Sequence, residues 1–271
     1  MQKIFLFLFL LAELDSLKAQ QPYQGNWDTY AVQSDKILAS VMVDLDFIHS
    51  PEAKERPNVV IVRIGLKQVL ADGMPAKAEL DTLNALEEAL VNTLYGGLNA
   101  RYTGRYTQRG RRDFYFYTND TSECRRYIGN ALQPFAGYQW IVLVKPDPEH
   151  INYRTVLYPT SEEMEHLKNK RMTDALFERG DELTAPRRVD HFLFFKSDAA
   201  RRKFLDSIQE DGFQIESGGE ELGGKDYPFS LQISRTDKVD YDSIDKVSIY
   251  LWKLAIKHFG RYDGWETFVV R

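Results

Sequence analysis

The sequence predicts an α+β chain of two antiparallel sandwiches, each with elements in the order β-α-β-β-α-β and two helices on one face of its sheet. Three observations predict it. Short runs rich in β-branched and aromatic residues alternate with longer stretches whose leucines recur at steps of three and four. The same order appears in both halves, although no sequence repeat relates them. A charged stretch from Pro159 to Gly180 stands between the halves and provides a boundary.

In chain order, WDTYAVQ (27–33) and ILASVMVDLDF (37–47) are two extra strands that precede the first sandwich. NVVIVRIGL (58–66) is a continuous apolar run with the character of a central strand. From Lys77 to Tyr95 the period changes: Leu80, Leu83, Leu86, Leu90 and Leu94 form one stripe, with Glu79, Glu87 and Glu88 between them, which predicts an amphipathic helix. LNARYTGRYT (98–107) and RRDFYFYT (111–118) form a hairpin across Gln108-Arg109-Gly110. Asp120, with Glu123 three residues on, predicts a capping box ahead of a helix over 121–133. YQWIVLVK (138–145) closes the first sheet. In the second half a helix runs to Arg179, with Gly180 as its stop. VDHFLFF (189–195) is a strand, Ser197 caps a helix, and GFQIES (212–217) and PFSLQISR (228–235) are strands joined by a glycine-rich loop. Asp240 caps the last helix, and GRYDGWETFVV (260–270) is the last strand. Both halves thus suggest ferredoxin-like split βαβ sandwiches.

Composition excludes several function classes. With 43% hydrophobic and 28% charged residues the chain is globular, and a net charge of −5 gives no overall electrostatic case for nucleic acid or anionic membrane. The single cysteine, Cys124, rules out an internal disulfide and a cysteine-based zinc cluster. Residues 1–19 read as a signal peptide: Lys3 precedes the apolar run Ile4 to Ala12, and small Ala19 is the expected cleavage position. The mature chain then begins at Gln20 and is exported, to the periplasm or beyond; without processing it stays in the cytoplasm. No segment of the mature chain is long and apolar enough to span a membrane.

No catalytic, cofactor or metal site is predicted. The chain has no GxSxG elbow, HExxH, phosphate-binding loop or paired-histidine spacing. Asp190 and His191 are neighbours on a strand, so their side chains leave opposite faces and cannot act as a dyad. Two stretches are candidate surfaces. Arg101, Arg105, Arg109, Arg111 and Arg112 interleave with aromatics, a composition suited to nucleic acid; alternation puts Arg101 and Arg105 on one face and Tyr102 and Tyr106 on the other, which equally describes a solvated strip over a core. Tyr262-Asp263-Gly264-Trp265 places a turn pair inside a strand, predicting a glycine bulge, with Trp265 either core or a partner anchor.

VDHFLFF, the helix after Ser197, PFSLQISR and YDGWET (262–267) together resemble the RraB family, the regulators of ribonuclease E activity type B, from Glu165 to Arg271. WDTYAVQ, RIGLKQVLADGMP (63–75), LNALEEAL (83–90) and RYTGRYTQRGRRDFYFY (101–117) resemble domain-of-unknown-function family 695, over 24–159. The first resemblance implies a small βαββαβ protein that binds a ribonuclease and alters its cleavage of RNA without catalysis of its own. The chain departs from that family in Glu266, where a glycine is common, and in ending on Val269-Val270-Arg271, where the best-known members carry an acidic tail. The expected function is a non-enzymatic, protein-binding regulator or adaptor of unknown partner. The alternative is control of RNA processing, through a ribonuclease or by direct binding of RNA to the 101–112 hairpin.

Overall fold

The structure is a computed structural model and describes residues 25–34, 37–220 and 226–271. The leader and its cleavage point lie outside the described residues, as do Gly223 and Gly224 of the glycine-rich loop. The chain opens with β1 (Trp27–Ser34) and β2 (Ile37–Asp44), followed by a 3-10 turn (Phe47–His49), the single-turn α1 (Pro51–Lys54) and β3 (Asn58–Gly65). Then come α2 (Leu80–Leu98), β4 (Arg101–Gln108), β5 (Arg111–Thr118), α3 (Cys124–Leu132) and β6 (Trp140–Pro146). A π-helical turn (Tyr153–Leu157) leads into α4 (Ser161–Glu178). The second half is β7 (Arg187–Phe195), α5 (Asp198–Ser207), β8 (Gln214–Glu220), β9 (Phe229–Asp237), α6 (Tyr241–Lys257) and β10 (Gly260–Glu266).

The first sheet has the order β1-β2-β4-β5-β3-β6 and the second β10-β7-β9-β8, with every pairing antiparallel. Without β1 and β2 the first order is β4-β5-β3-β6, which is the second sheet's pattern of chain positions reversed. These are two α+β sandwiches of ferredoxin-like order, with the two extra strands added at the β4 edge.

The helix-side core of the first sheet joins Leu83, Leu86, Leu90 and Leu94 of α2 to Val60, Val62, Phe114 and Phe116 of the strands. The second core lies on the opposite face, where the sequence predicts no layer. Val59, Ile61, Tyr115 and Tyr117 meet Phe47, Ala53, Tyr153 and Leu157, all from connecting segments. Asp147 anchors this layer: its carboxylate accepts from the Tyr117 hydroxyl at 2.6 Å, from Asn152 Nδ2 at 2.8 Å and from the amide of Ile151 at 2.8 Å. In the second domain, Leu193, Phe195, Leu231 and Ile233 pack on Phe204 of α5 and Leu251 of α6.

Several ends differ from the sequence reading. Helix α3 begins at Cys124, and no side chain caps it, because Asp120 instead accepts from the amide and hydroxyl of Ser122 in a local turn. Strand β10 stops at Glu266, where the tail turns towards a buried ion pair. In that pair Arg187 grips Asp181, which also accepts from the Val270 amide at 2.9 Å. The guanidinium holds the Asp181 carboxyl well below the usual range. The caps at Ser197 and Asp240 form as their residue types dictate, by bonds from Ala200 and Ser243.

Candidate functional site

The hairpin arginines do not form a patch. A β-bulge between Tyr102 and Gly104 adds Thr103 to β4 and reverses the alternation beyond it. Gly104 is required there, since a Cβ would stand 2.2 Å from the Met42 carbonyl oxygen. Tyr102 therefore packs under α2, while Tyr106 packs against the opposite core. The arginines are engaged separately. Arg101 pairs with Asp44 at 2.8 Å, at the end of β2 where Trp27 stacks on Tyr102; Arg105 pairs with Glu87 of α2 on the helix face. Arg112 is buried, its Nε donating to Thr107 Oγ1 at 3.0 Å, and burial next to Arg105 lowers its pKa to about 10. Arg111 is half-buried, and of the five only Arg109, at the hairpin tip with a φ of 50°, is exposed. The nucleic-acid reading of this hairpin is corrected in its geometry: Arg105 and Arg112 lie towards Glu87 and the helix face while Arg111 lies opposite near Tyr115, and acids pair with Arg101 and Arg105.

The YDGW strand is corrected as well. A bulge lies between Tyr262 and Gly264, and Gly264 adopts a φ of 117°. It turns Tyr262 and Trp265 inward, at 4% and 6% exposure, so neither offers a ring to a partner. Trp265 Nε1 donates to Asn169 Oδ1 at 2.9 Å; that oxygen also accepts from Ser248 at 3.0 Å, and Asn169 Nδ2 donates to Asp245 at 2.8 Å. Strand β10 is thereby pinned to α4 and α6. Of the four candidate surface residues, Asp263 alone is exposed, with Gly264 half-buried.

Asp190 and His191 separate as the pleat requires. Asp190 accepts from Arg188 at 2.7 and 2.9 Å and from Gln232 at 3.0 Å on the outer face. His191 is fully buried on the helix face, where its Nδ1 meets the Tyr262 hydroxyl at 2.8 Å. Burial, helped by the charge of Arg235, lowers its pKa to about 3, so the ring is neutral. An acid–imidazole pair does exist, and it was missed because its members are 79 residues apart: His166 Nδ1 lies 2.8 Å from Asp245. It lines a cavity of about 580 Å³ between β1 and α4. The other charges there are already engaged, Lys170 with Asp174 and Glu163 with the Thr160 amide.

The outer face of the second sheet is different. Phe192 and Phe194 of β7 are half-buried, belong to no core cluster, and stand among Asp190, Ser230 and Gln232. Phe192 borders a cleft shared with Glu165, Lys168 and Met172 of α4, and the Arg261 guanidinium lies 5.1 Å from the Phe194 ring.

Comparison with known proteins follows this division. Residues 25–158 match the model of a family of unknown function, DUF695, and residues 166–267 match the regulator of ribonuclease activity B, RraB. Each half matches a different family model. No curated protein matches the chain. A solved structure, the crystal structure of an unknown protein from Galdieria sulphuraria, aligns over 77% of this chain and 97% of its own at 9% identity. Its TM-score of 0.21 carries no argument. Within the RraB-matched half lie the open sheet face, the buried YDGW strand and the Asn169 network. The DUF695-matched half carries the arginine hairpin and the two extra strands, and β1 receives α4 through Arg171, which bonds Asp28 at 2.6 Å and Asn26 at 2.9 Å. Among the described residues no group of three or more histidine, cysteine or acidic side chains could hold a metal, and no helix is long and apolar enough to cross a membrane.

Proposed function

We propose that the chain is a non-enzymatic regulator that binds a protein partner through the outer face of its RraB-matched sheet, and that the partner is a ribonuclease. The observation that carries this reading is the outer face itself: two phenylalanines on a rigid strand lie outside every core cluster and keep part of their surface in solvent, where a contact would bury it. The family's description as a regulator of ribonuclease activity supplies the class of partner. The titratable groups support a binding role, since Asp190, His191, His166, Asp245 and Asp147 each already have a structural partner. Export by residues 1–19 remains our proposal from sequence, and it bears on the partner, since an exported chain meets only ribonucleases beyond the cytoplasm. A fusion of residues 1–25 to a reporter active only outside the cytoplasm decides the compartment.

The functional test adds purified chain in excess to a ribonuclease of its host and follows RNA cleavage. The expected result is a changed cleavage rate, lost when Phe192→Ser and Phe194→Ser are combined while melting stays that of the parent. Unchanged cleavage in excess chain would remove the ribonuclease from the reading. An undiminished effect from the double variant would remove the sheet face.

A further inference from the structure

At the end of the second domain where α6 turns into β10, Phe259 pays two costs that its packing does not return. It holds a φ of 54°, a left-handed position after a helix end that glycine or asparagine takes readily and a bulky ring does not. Its side chain is 72% exposed and belongs to no core cluster. A glycine here would relieve both. Glycine does appear one residue later, at Gly260, where a Cβ would stand 2.6 Å from the Phe195 ring. An aromatic held outward on a strained backbone points to a function at that spot.

Its surroundings indicate which one. The amide of Lys196 donates to the Phe259 carbonyl at 3.4 Å, so the end of β7 lies against it. Lys196 Nζ lies 5.6 Å from the ring centre of Tyr227, and the Arg261 guanidinium lies 5.8 Å from that ring and 5.1 Å from Phe194. Lys257 precedes the turn. Lys203 of α5 is close enough that it and Lys257 both depress the His258 pKa, after burial, which is the larger cause. Three acids border the group: Asp226 beside Tyr227, Asp263, which shares Arg261 at 3.3 Å, and Glu220 at the end of β8, in the same row as Phe195 and Gly260. Asp198 is taken by Arg201 and Arg202. Among the described residues none of Lys196, Lys203 and Lys257 has a carboxylate within 4.0 Å. Four cations against three acids leave this end positive, in a chain whose net charge is −5.

We propose that this end of the RraB-matched domain binds single-stranded nucleic acid, with Phe259 as a stacking platform and Lys196, Lys203, Lys257 and Arg261 holding phosphates. An acidic peptide would use the cations and leave the ring without a role. A base offers a π-face to stack on Phe259, and the adjoining phosphates meet lysines that no acid neutralises. The proposal does not rest on the sheet-face reading, whose variants Phe192→Ser and Phe194→Ser belong to the separate cleavage assay.

The test uses the full chain and a labelled oligouridylate of about twelve nucleotides, read by fluorescence anisotropy. Affinity should fall roughly tenfold or more between ~50 and ~200 mM salt, as release of counterions from several phosphates requires. Phe259→Gly is the decisive variant, because it relaxes the backbone while deleting the ring. Its melting temperature should equal or exceed that of the parent while binding weakens by roughly fivefold or more, the loss of one stacked base. Lys196→Glu combined with Lys257→Glu should abolish binding. The proposal is overturned by absence of salt-dependent binding, by parental affinity in Phe259→Gly, or by a polyglutamate peptide that competes as well as the oligonucleotide. That last outcome would make the patch a surface for acidic proteins.

Discussion

Strands β5 and β7 occupy central positions in two sheets of the same strand order, and they are buried in different ways. From Arg112 to Thr118 every residue of β5 is buried, whereas along β7 buried residues alternate with half-buried or exposed ones. The cause is the second layer over the first sheet, where Phe47, Tyr153 and Leu157 cover a face that has no counterpart in the second domain. A ferredoxin-like order therefore fixes only one covered face, and the connecting segments decide the other. Where they cross the sheet, polar groups are forced into pairs, as Arg63 with Asp113 at 2.7 Å, and the face is closed to partners. Where they do not, an apolar and polar surface is left for contact.

The largest effect expected from this comparison comes from emptying a core in each domain. Phe47→Ala, in the added layer, and Trp265→Ala, under the second sheet's helices, should each cost about 3–5 kcal/mol in chemical denaturation. Equal losses would make the added layer a core in its own right. A loss under about 1 kcal/mol for Phe47→Ala would reduce that layer to a loosely held cover, and the contrast between the sheets would collapse.

A smaller effect follows from the bulge in β10. Nothing lies within 4 Å of where a Cβ on Gly264 would sit, so a substitution there meets strain of the backbone alone. Gly264→Val should cost about 1–3 kcal/mol, the range for a side chain forced to a left-handed φ. If its denaturation midpoint matches the parent's, the bulge is not what turns Trp265 inward.

Much of this contrast was legible in the sequence, and the illegible part has physical reasons. The chain order of elements in both sandwiches, the leucine stripe of α2, the caps at Ser197 and Asp240 and the opposite faces of Asp190 and His191 all follow from local periodicity and side-chain type. NVVIVRIGL also carried a signal of two-sided burial, because a strand with one wet face would alternate. What covers its second face was hidden, since the 3-10 turn at Phe47 and the π-turn at Tyr153 have no amphipathic period. The hairpin arginines were misplaced because one extra residue, Thr103, reverses every face after it. The His166–Asp245 pair was invisible because only the tertiary fold brings α4 and α6 together.

A pH experiment sharpens the comparison within the second domain, whose buried face holds a neutral histidine. The folded pKa of His191, about 3, lies below its ordinary 6.5, so between those values the unfolded chain binds the extra proton. Its contribution is complete above about pH 6.5 and is lost as the pH falls, by at most ~1.4 kcal/mol per pH unit. Stability measured from pH 7 to pH 5 should therefore fall less steeply in His191→Gln than in the parent. Parallel curves would mean that the ring can take up a proton without leaving its site.

The smallest effect is expected where the two sheets differ most. Phe194 on the outer face of β7 and Phe114 on β5 are both phenylalanines in central strands. Phe114 is fully buried under α2, while Phe194 is half-buried against the Arg261 guanidinium and belongs to no core cluster. Phe114→Ser loses its burial and leaves a hydroxyl in an apolar core, so the loss should reach or exceed about 3 kcal/mol. Phe194→Ser gives up only part of its apolar burial, at roughly 25 cal/mol per Å², and its hydroxyl remains in reach of water; a loss of about 1 kcal/mol or less is expected. Phe192→Ser should behave likewise. Denaturation of the isolated, purified chain decides it, because no partner is then present to cover the face. A loss of about 3 kcal/mol at Phe194 would mean that the outer face is already covered in the free chain, by a second copy or by another segment. The surface proposed for a partner would then be core, and the two sheets would be alike after all.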